Sequence, residues 1–176
     1  MRLLPVLTVV IASLLSVACS NPVPPAGVTV VSPFESQRFL GTWYEIARFD
    51  HHFESGLEKV TATYSLRGDG GIDVVNKGYN PERGLWQKTD GVAWFTGDPN
   101  RAALKISFFG PFYGGYNVIA LDKEYRHALV CGPDRDYLWL LARTPKISPQ
   151  VKQQMLDIAT RQGFDVSKLI WVNQRY

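Results

Sequence analysis

Cysteine is scarce in this 176-residue chain: only Cys19 and Cys131 are present. If Cys19 is modified, no disulfide can form within the mature chain. The lone Cys131 is then expected to be buried as a small hydrophobe. A charge imbalance is missing as well. The net charge is +3, so composition gives no case for a nucleic-acid partner. No periodic repeat is evident. Beyond residue 17 no stretch approaches the ~18 apolar residues of a membrane span. Gly110 to Gly115 is glycine-rich but lacks the Lys-Ser/Thr of a phosphate loop. No metal is expected: His51 and His52 are adjacent, and only Glu54 joins them, so a solvated loop is the reading. His127 precedes Cys131 by four residues. On a strand that offset puts them roughly 13 Å apart, too far for a thiolate–imidazole pair. No enzyme and no cofactor is expected.

What the chain does have begins at its start. Met1-Arg2 is basic, and Leu3 to Val17 is an almost unbroken apolar run followed by Ala18-Cys19. Such a run behind a positive charge reads as a secretory signal. Leu15-Ser16-Val17-Ala18-Cys19 resembles a bacterial lipobox, although the usual Leu three residues before the Cys is replaced by Ser16. The resemblance implies a diacylglyceryl group on the Cys19 thiol and an acyl group on its amine. With Ser20 rather than Asp following, it also implies sorting to the outer membrane. An ordinary cleaved signal with a chance Cys is the alternative. Two or more acyl chains anchor stably, at about 0.8 kcal/mol per buried methylene. Asn21 to Gly27 holds three prolines and reads as an extended tether keeping the domain off the bilayer. The expected division is residues 1–18 as lipoprotein signal, 19–27 as lipidated Cys and tether, and 28–176 as one folded domain, since this length suits a single core.

From Trp43 onward the pattern is a run of short strands. Val60 to Leu66 alternates apolar with polar residues, the period of a half-buried strand. Turn residues separate Trp43–Phe49, Val60–Leu66, Ile72–Tyr79, Trp86–Phe95, Ala103–Phe109, Tyr116–Leu121, Ala128–Cys131 and Tyr137–Ala142. Eight sequential strands with hairpin-length connections predict an all-β, antiparallel up-and-down barrel. A barrel of that size holds packed side chains or one small ligand. Ser148 as N-cap, Pro149 at the first helical position and Val151, Met155, Ile158 and Ala159 on one face predict a single C-terminal helix packed outside the barrel. Leu169 to Val172 forms a last short strand.

Gly41-Thr42-Trp43 opens the first strand, Asp122 and Tyr125 lie in the turn after the sixth, and Arg143 follows the eighth. Together these resemble the three motifs of the lipocalins, with the usual Thr-Asp-Tyr triplet of the second absent. The whole mature chain is similar to the bacterial members of that family. The resemblance implies that Gly41, Trp43 and Arg143 close one barrel end, with the guanidinium over the indole. It implies binding of fatty acids or lysophospholipids, a role in lipid storage or transport in the envelope under stress, a barrel in the periplasm, and a homodimer. The isomerase type of lipocalin carries a strand cysteine near the open end, and Val60 to Leu66 has none.

Alternation along strands gives the expected inner face. With Trp43 inward, Glu45, Ala47 and Phe49 follow. If Arg143 meets Trp43, Leu141, Trp139 and Tyr137 point inward too. Tyr64, Tyr116 and Val118, with Ala62 and Ala120, are further candidates. Glu45, Ala47, Phe49, Tyr64, Tyr116, Val118, Tyr137 and Trp139 are thus the expected ligand contacts. A single β-bulge inverts this parity beyond itself. Glu45 either pairs inside the barrel or sits near water. Phe112 and Tyr113 lie at the open end, where gating, dimer contact and membrane contact all stay open. A structural lipoprotein with a filled barrel and no ligand is the competing reading.

Overall fold

The alternating segments pair with their sequence neighbours because the connections between them are too short for anything else. A computed structural model describes residues 21–175. The segment read as a secretory signal and Cys19 lie outside the described residues. The strands are β1 (Gly41–Phe49), β2 (Glu58–Leu66), β3 (Ile72–Asn80), β4 (Leu85–Phe95), β5 (Ala103–Phe109), β6 (Phe112–Leu121), β7 (His127–Cys131) and β8 (Leu138–Ala142). Each pairs antiparallel with the next, and β1 pairs with both β2 and β8, so the sheet closes into the expected barrel. The β1–β2 seam is short, running from Gly41↔Tyr64 to Tyr44↔Thr61. Beyond it β1 no longer pairs with β2, and its far end pairs with a ninth strand, β9 (Leu169–Trp171).

Local chemistry sets the turns. Asp69 Oδ1 accepts from the Gly71 amide at 3.1 Å, between β2 and β3. Asn80 Oδ1 accepts from the Arg83 amide at 3.0 Å, between β3 and β4. Among the described residues two α-helices accompany the barrel. A short α1 (Ser36–Phe39) precedes β1 and was not foreseen from the sequence. The predicted helix, α2 (Pro149–Arg161), starts at Ser148, whose hydroxyl accepts from the Val151 amide at 3.2 Å.

Two apolar layers result. One fills the barrel and includes Trp43, Tyr64, Val74, Leu104, Val118, Val130 and Leu141. The other lies outside, where Met155 and Ala159 of α2 pack on Ile46, Leu129, Leu138 and Leu140. Cys131 belongs to this outer layer, fully buried and free, and burial pushes its thiol up to about 12.

Register breaks decide which residues enter which layer. Opposite β8, β1 slips between Glu45 and Ala47, with Glu45 facing Leu141 and Ala47 facing Leu140. Opposite β7, β6 slips between Val118 and Ala120. Each bulge inserts one residue and reverses the faces that follow. The described part of the proline-rich segment makes contacts with the barrel. Lys105 Nζ donates to Asn21 Oδ1 at 2.9 Å, and Arg135 Nη2 donates to the Ala26 carbonyl at 2.8 Å. Residues 21–27 therefore lie along the barrel wall.

Candidate functional site

The closed end is built on Trp43, which has no exposed surface and donates from Nε1 to the Phe39 carbonyl at 2.8 Å. The Arg143 guanidinium sits 3.9 Å from its ring centroid. That guanidinium donates to the carbonyls of Thr42, Arg38, Leu40 and Tyr125 at 3.0, 2.9, 2.9 and 3.2 Å. Gly41 has φ +92, and a Cβ there would lie 3.4 Å from Arg143 Nη1. Glycine thus serves both the backbone conformation and the close approach. Gly41, Trp43 and Arg143 come together as one plug.

Above the plug the barrel is lined by aromatics. Tyr64 and Tyr116 share a hydrogen bond of 2.7 Å between their hydroxyls, with ring centroids 6.0 Å apart. Burial, first of all, holds both phenols above their ordinary range. The space left among Phe34, Phe39, Tyr64, Ile72, Leu104 and Tyr116 is about 10 Å³, room for a single water. The floor is therefore full. Higher up, Ala62, Ile106, Phe108, Tyr116 and Trp139 pack on the same interior cluster yet remain only partly buried. Towards the open end the apolar lining is therefore less completely covered than at the floor.

One wall of that upper half is polar. Arg48 follows the bulge, is 1% exposed, and donates from Nη1 to Glu45 Oε1 at 2.8 Å. Its Nη2 donates to the Glu54 carbonyl at 2.8 Å. Trp139 Nε1 donates to Glu54 Oε1 at 3.0 Å. Arg48 Nε has no hydrogen-bond acceptor; Asp50 Oδ1 and Glu54 Oε1 stand 3.7 and 3.9 Å away. Two buried carboxyls thus share one guanidinium. Desolvation raises Glu45 to about 7 against the pull of Arg48. Desolvation and the neighbouring Glu45 raise Glu54 to about 8. Desolvation of two carboxyls beside a single guanidinium thus favours a proton held between them into the neutral range.

The predicted contacts divide accordingly. Glu45, Tyr64, Tyr116, Val118 and Trp139 lie on the inner side. Val118 has no exposed surface, so it forms wall rather than contact surface. Tyr137 stands at the rim, its ring stacked 4.1 Å from that of His51. Ala47 and Phe49, expected inside, pack in the outer layer against α2, because the bulge after Glu45 reverses their parity. Ala120 is reversed by the second bulge. Phe49→Ala is accordingly expected to destabilise the fold by about 3 kcal/mol while leaving unchanged the affinity for a ligand of the kind expected inside the barrel, as read by denaturant melts and ligand titration. An affinity loss at unchanged stability would contradict this placement.

Sequence reasoning missed Arg48 and misplaced Glu54, which was read as part of a solvated loop and is 9% exposed. One signal was available: Glu45 and Arg48 stand three apart in an apolar strand. An acid and a base at that spacing share a face only if a bulge intervenes. Among the described residues no group of three or more His, Cys, Asp or Glu side chains is placed to hold a metal. No helix among them is long and apolar enough to cross a membrane.

Comparison with known proteins gives a consistent answer. Residues 34–174 match the family model of the lipocalin-like domain. The chain is 75% identical over 174 residues to the outer membrane lipoprotein Blc of Citrobacter freundii, covering 99% of this chain and 98% of that one. It is 74% identical to Blc of Escherichia coli strain K12 with the same coverage. Insecticyanin from the tobacco hornworm shares the fold, at 20% identity and a TM-score of 0.69 over 87% of each chain.

Proposed function

The chain belongs to the lipocalin family, and from that premise we propose that it is a non-enzymatic outer-membrane lipoprotein that holds an amphiphilic lipid in the upper half of its barrel. Removal of residues 1–18 and acylation of Cys19 anchor it, with the barrel (residues 28–176) in the periplasm. The ligand is a fatty acid or a lysophospholipid, taken up for storage or transport in the envelope under stress. A homodimer fits the same reading.

The observation that carries the proposal is the partly buried aromatic and apolar lining above the Tyr64–Tyr116 pair. An acyl tail of about 15 methylenes at roughly 0.8 kcal/mol each gains near 12 kcal/mol in gross terms. Association removes several of those, which leaves micromolar binding or tighter. The polar wall bears on the headgroup. It offers two carboxyls for one arginine, so a zwitterionic head with a cationic group is better matched than a bare carboxylate. The filled floor favours a second reading, a structural barrel without a stoichiometric ligand.

Titrating the anchor-free chain, Ser20 to Tyr176, with a fatty acid and a lysophospholipid separates these. Saturable quenching near one equivalent, reduced in Trp139→Phe, is the expected result, with the lysophospholipid tighter. A folded protein that saturates with neither lipid would support the filled barrel instead.

A further inference from the structure

The open end of the barrel carries more exposed aromatic surface than a soluble rim needs. Phe109 and Phe112 face each other across the β5–β6 hairpin and are 77% and 78% exposed. Tyr113 beside them, Leu85 and Trp86 on the β3–β4 hairpin, and Phe53 in the β1–β2 loop are also exposed. All three connections lie at the end opposite the Trp43–Arg143 plug. With over three quarters of their surface in solvent, Phe109 and Phe112 pack on little of their own barrel, so they contribute almost nothing to the core or to closing the bore. Exposed apolar clusters of this kind mark contact surfaces.

The start of the described chain says what covers this one. Asn21 is fixed on the outer wall alongside β5: its Nδ2 donates to the Thr96 carbonyl at 3.4 Å in the β4–β5 connection, and the Lys105 ammonium donates to its Oδ1 at 2.9 Å while lying 4.9 Å over the ring of Tyr113 in the hairpin. Two residues of extended chain span at most about 7 Å. Acyl groups carried by Cys19 therefore enter the bilayer close to this side of the barrel, and the wall contacts of Asn21 and Ala26 leave no long spacer to hold the mouth away. Aromatic side chains favour the headgroup boundary of a bilayer, where the ring meets acyl carbon and the polar edge meets water.

We propose that the barrel docks mouth-down on the membrane that holds its anchor, with Phe109, Phe112 and Tyr113 of the β5–β6 hairpin inserted at the lipid interface. This rests on the anchored lipid-binding reading above and extends it. A docked mouth lets an amphiphile pass between bilayer and barrel without crossing water. Lys105, placed between anchor and hairpin, assists on an anionic surface.

The test uses vesicles of phosphatidylethanolamine and phosphatidylglycerol. For the anchor-free chain, which retains every element of the described fold, the triple variant Phe109→Ser, Phe112→Ser, Tyr113→Ser is expected to lose at least tenfold in vesicle partitioning. Its soluble-lipid titration should stay unchanged, which also reports that the barrel is folded. In the acylated full chain, an added tryptophan in Phe112→Trp should be quenched by lipids brominated in the acyl chain. One at the closed end, Leu66→Trp, should not be. Equal partitioning of the triple variant and the parent, or an unquenched Phe112→Trp in acylated protein, overturns the docking. A triple variant that abolishes a dimer in sedimentation while vesicle binding persists also overturns it, assigning the patch to a second copy of the chain. Failure of the soluble-lipid titration with quenching intact would sink the cavity reading and leave the docking standing.

Discussion

Arg143→Met is expected to destabilise the protein by on the order of 4 kcal/mol, enough to consume much of a typical domain's stability. Four backbone carbonyls, from Arg38, Leu40, Thr42 and Tyr125, converge on this one guanidinium, which also covers the Trp43 ring. A hydrogen bond to a charged group contributes about 1.5–3 kcal/mol, and a cation over an indole about 0.5–2 kcal/mol. Water can reach some of the released carbonyls, because Arg143 is only half-buried, so the sum is discounted. Methionine keeps the packing volume and lacks the donors. Lysine restores the charge but not the planar fork, and is expected to recover less than half of the loss. Urea melts of the variants measure this; a loss below about 1 kcal/mol would mean that the plug is held by Trp43 packing alone.

A second large effect concerns pH. Stability is expected to fall as the pH rises from about 5 to about 8, the reverse of ordinary acid denaturation. Glu45 and Glu54 are raised to about 7 and about 8 from 4.5, so across that window the folded state binds protons that the unfolded state has released. Stability then decreases with pH, at about 1.4 kcal/mol per unit for each extra proton held. One shared proton amounts to on the order of 3 kcal/mol over the window. The contribution is fully present below the unfolded value and is lost as the pH passes the folded ones. Asp69 and Asp165 are lowered instead, by hydrogen bonds from Arg67 and Ser167, and act in the opposite sense at more acid pH. Glu54→Gln keeps an acceptor for Trp139 and cannot ionise, so its melting temperature should depend on pH much less steeply. A parent protein whose stability rises steadily from pH 5 to pH 8 would rule out a shared proton.

The same cluster governs the β1–β2 loop. Arg48 Nη2 holds the Glu54 carbonyl, and Trp139 holds the Glu54 carboxyl. Deprotonation of this wall above pH 8 adds a second negative charge beside the ligand space. Affinity for a fatty acid is therefore expected to weaken more steeply with rising pH than affinity for a zwitterionic lysophospholipid.

Much of this molecule was legible in its sequence. Strand alternation, the turn residues between strands, the Ser148-Pro149 cap and the helical face of Val151, Met155, Ile158 and Ala159 are local signals. Each acts within a few residues, so eight strands and one helix follow from reading along the chain. Closure was legible too, because eight antiparallel strands with short connections have few other ways to cover their edges. The plug residues Gly41, Trp43 and Arg143 were found through family resemblance, and the structure brings them together.

What the tertiary structure alone decided is the inner face beyond each bulge. A bulge is a property of two paired strands: Ile46 is an ordinary strand residue until β8 fails to keep step with it. The slip carries Ala47 and Phe49 to the helix side and brings Arg48 inward, where Glu45, Glu54 and Trp139 meet it. The course of residues 21–27 along the wall is of the same kind, since Asn21 is held by Lys105, 84 positions away. Periodicity records which residues alternate. Which of them share a cavity depends on register between strands, and register is settled by packing across the whole barrel.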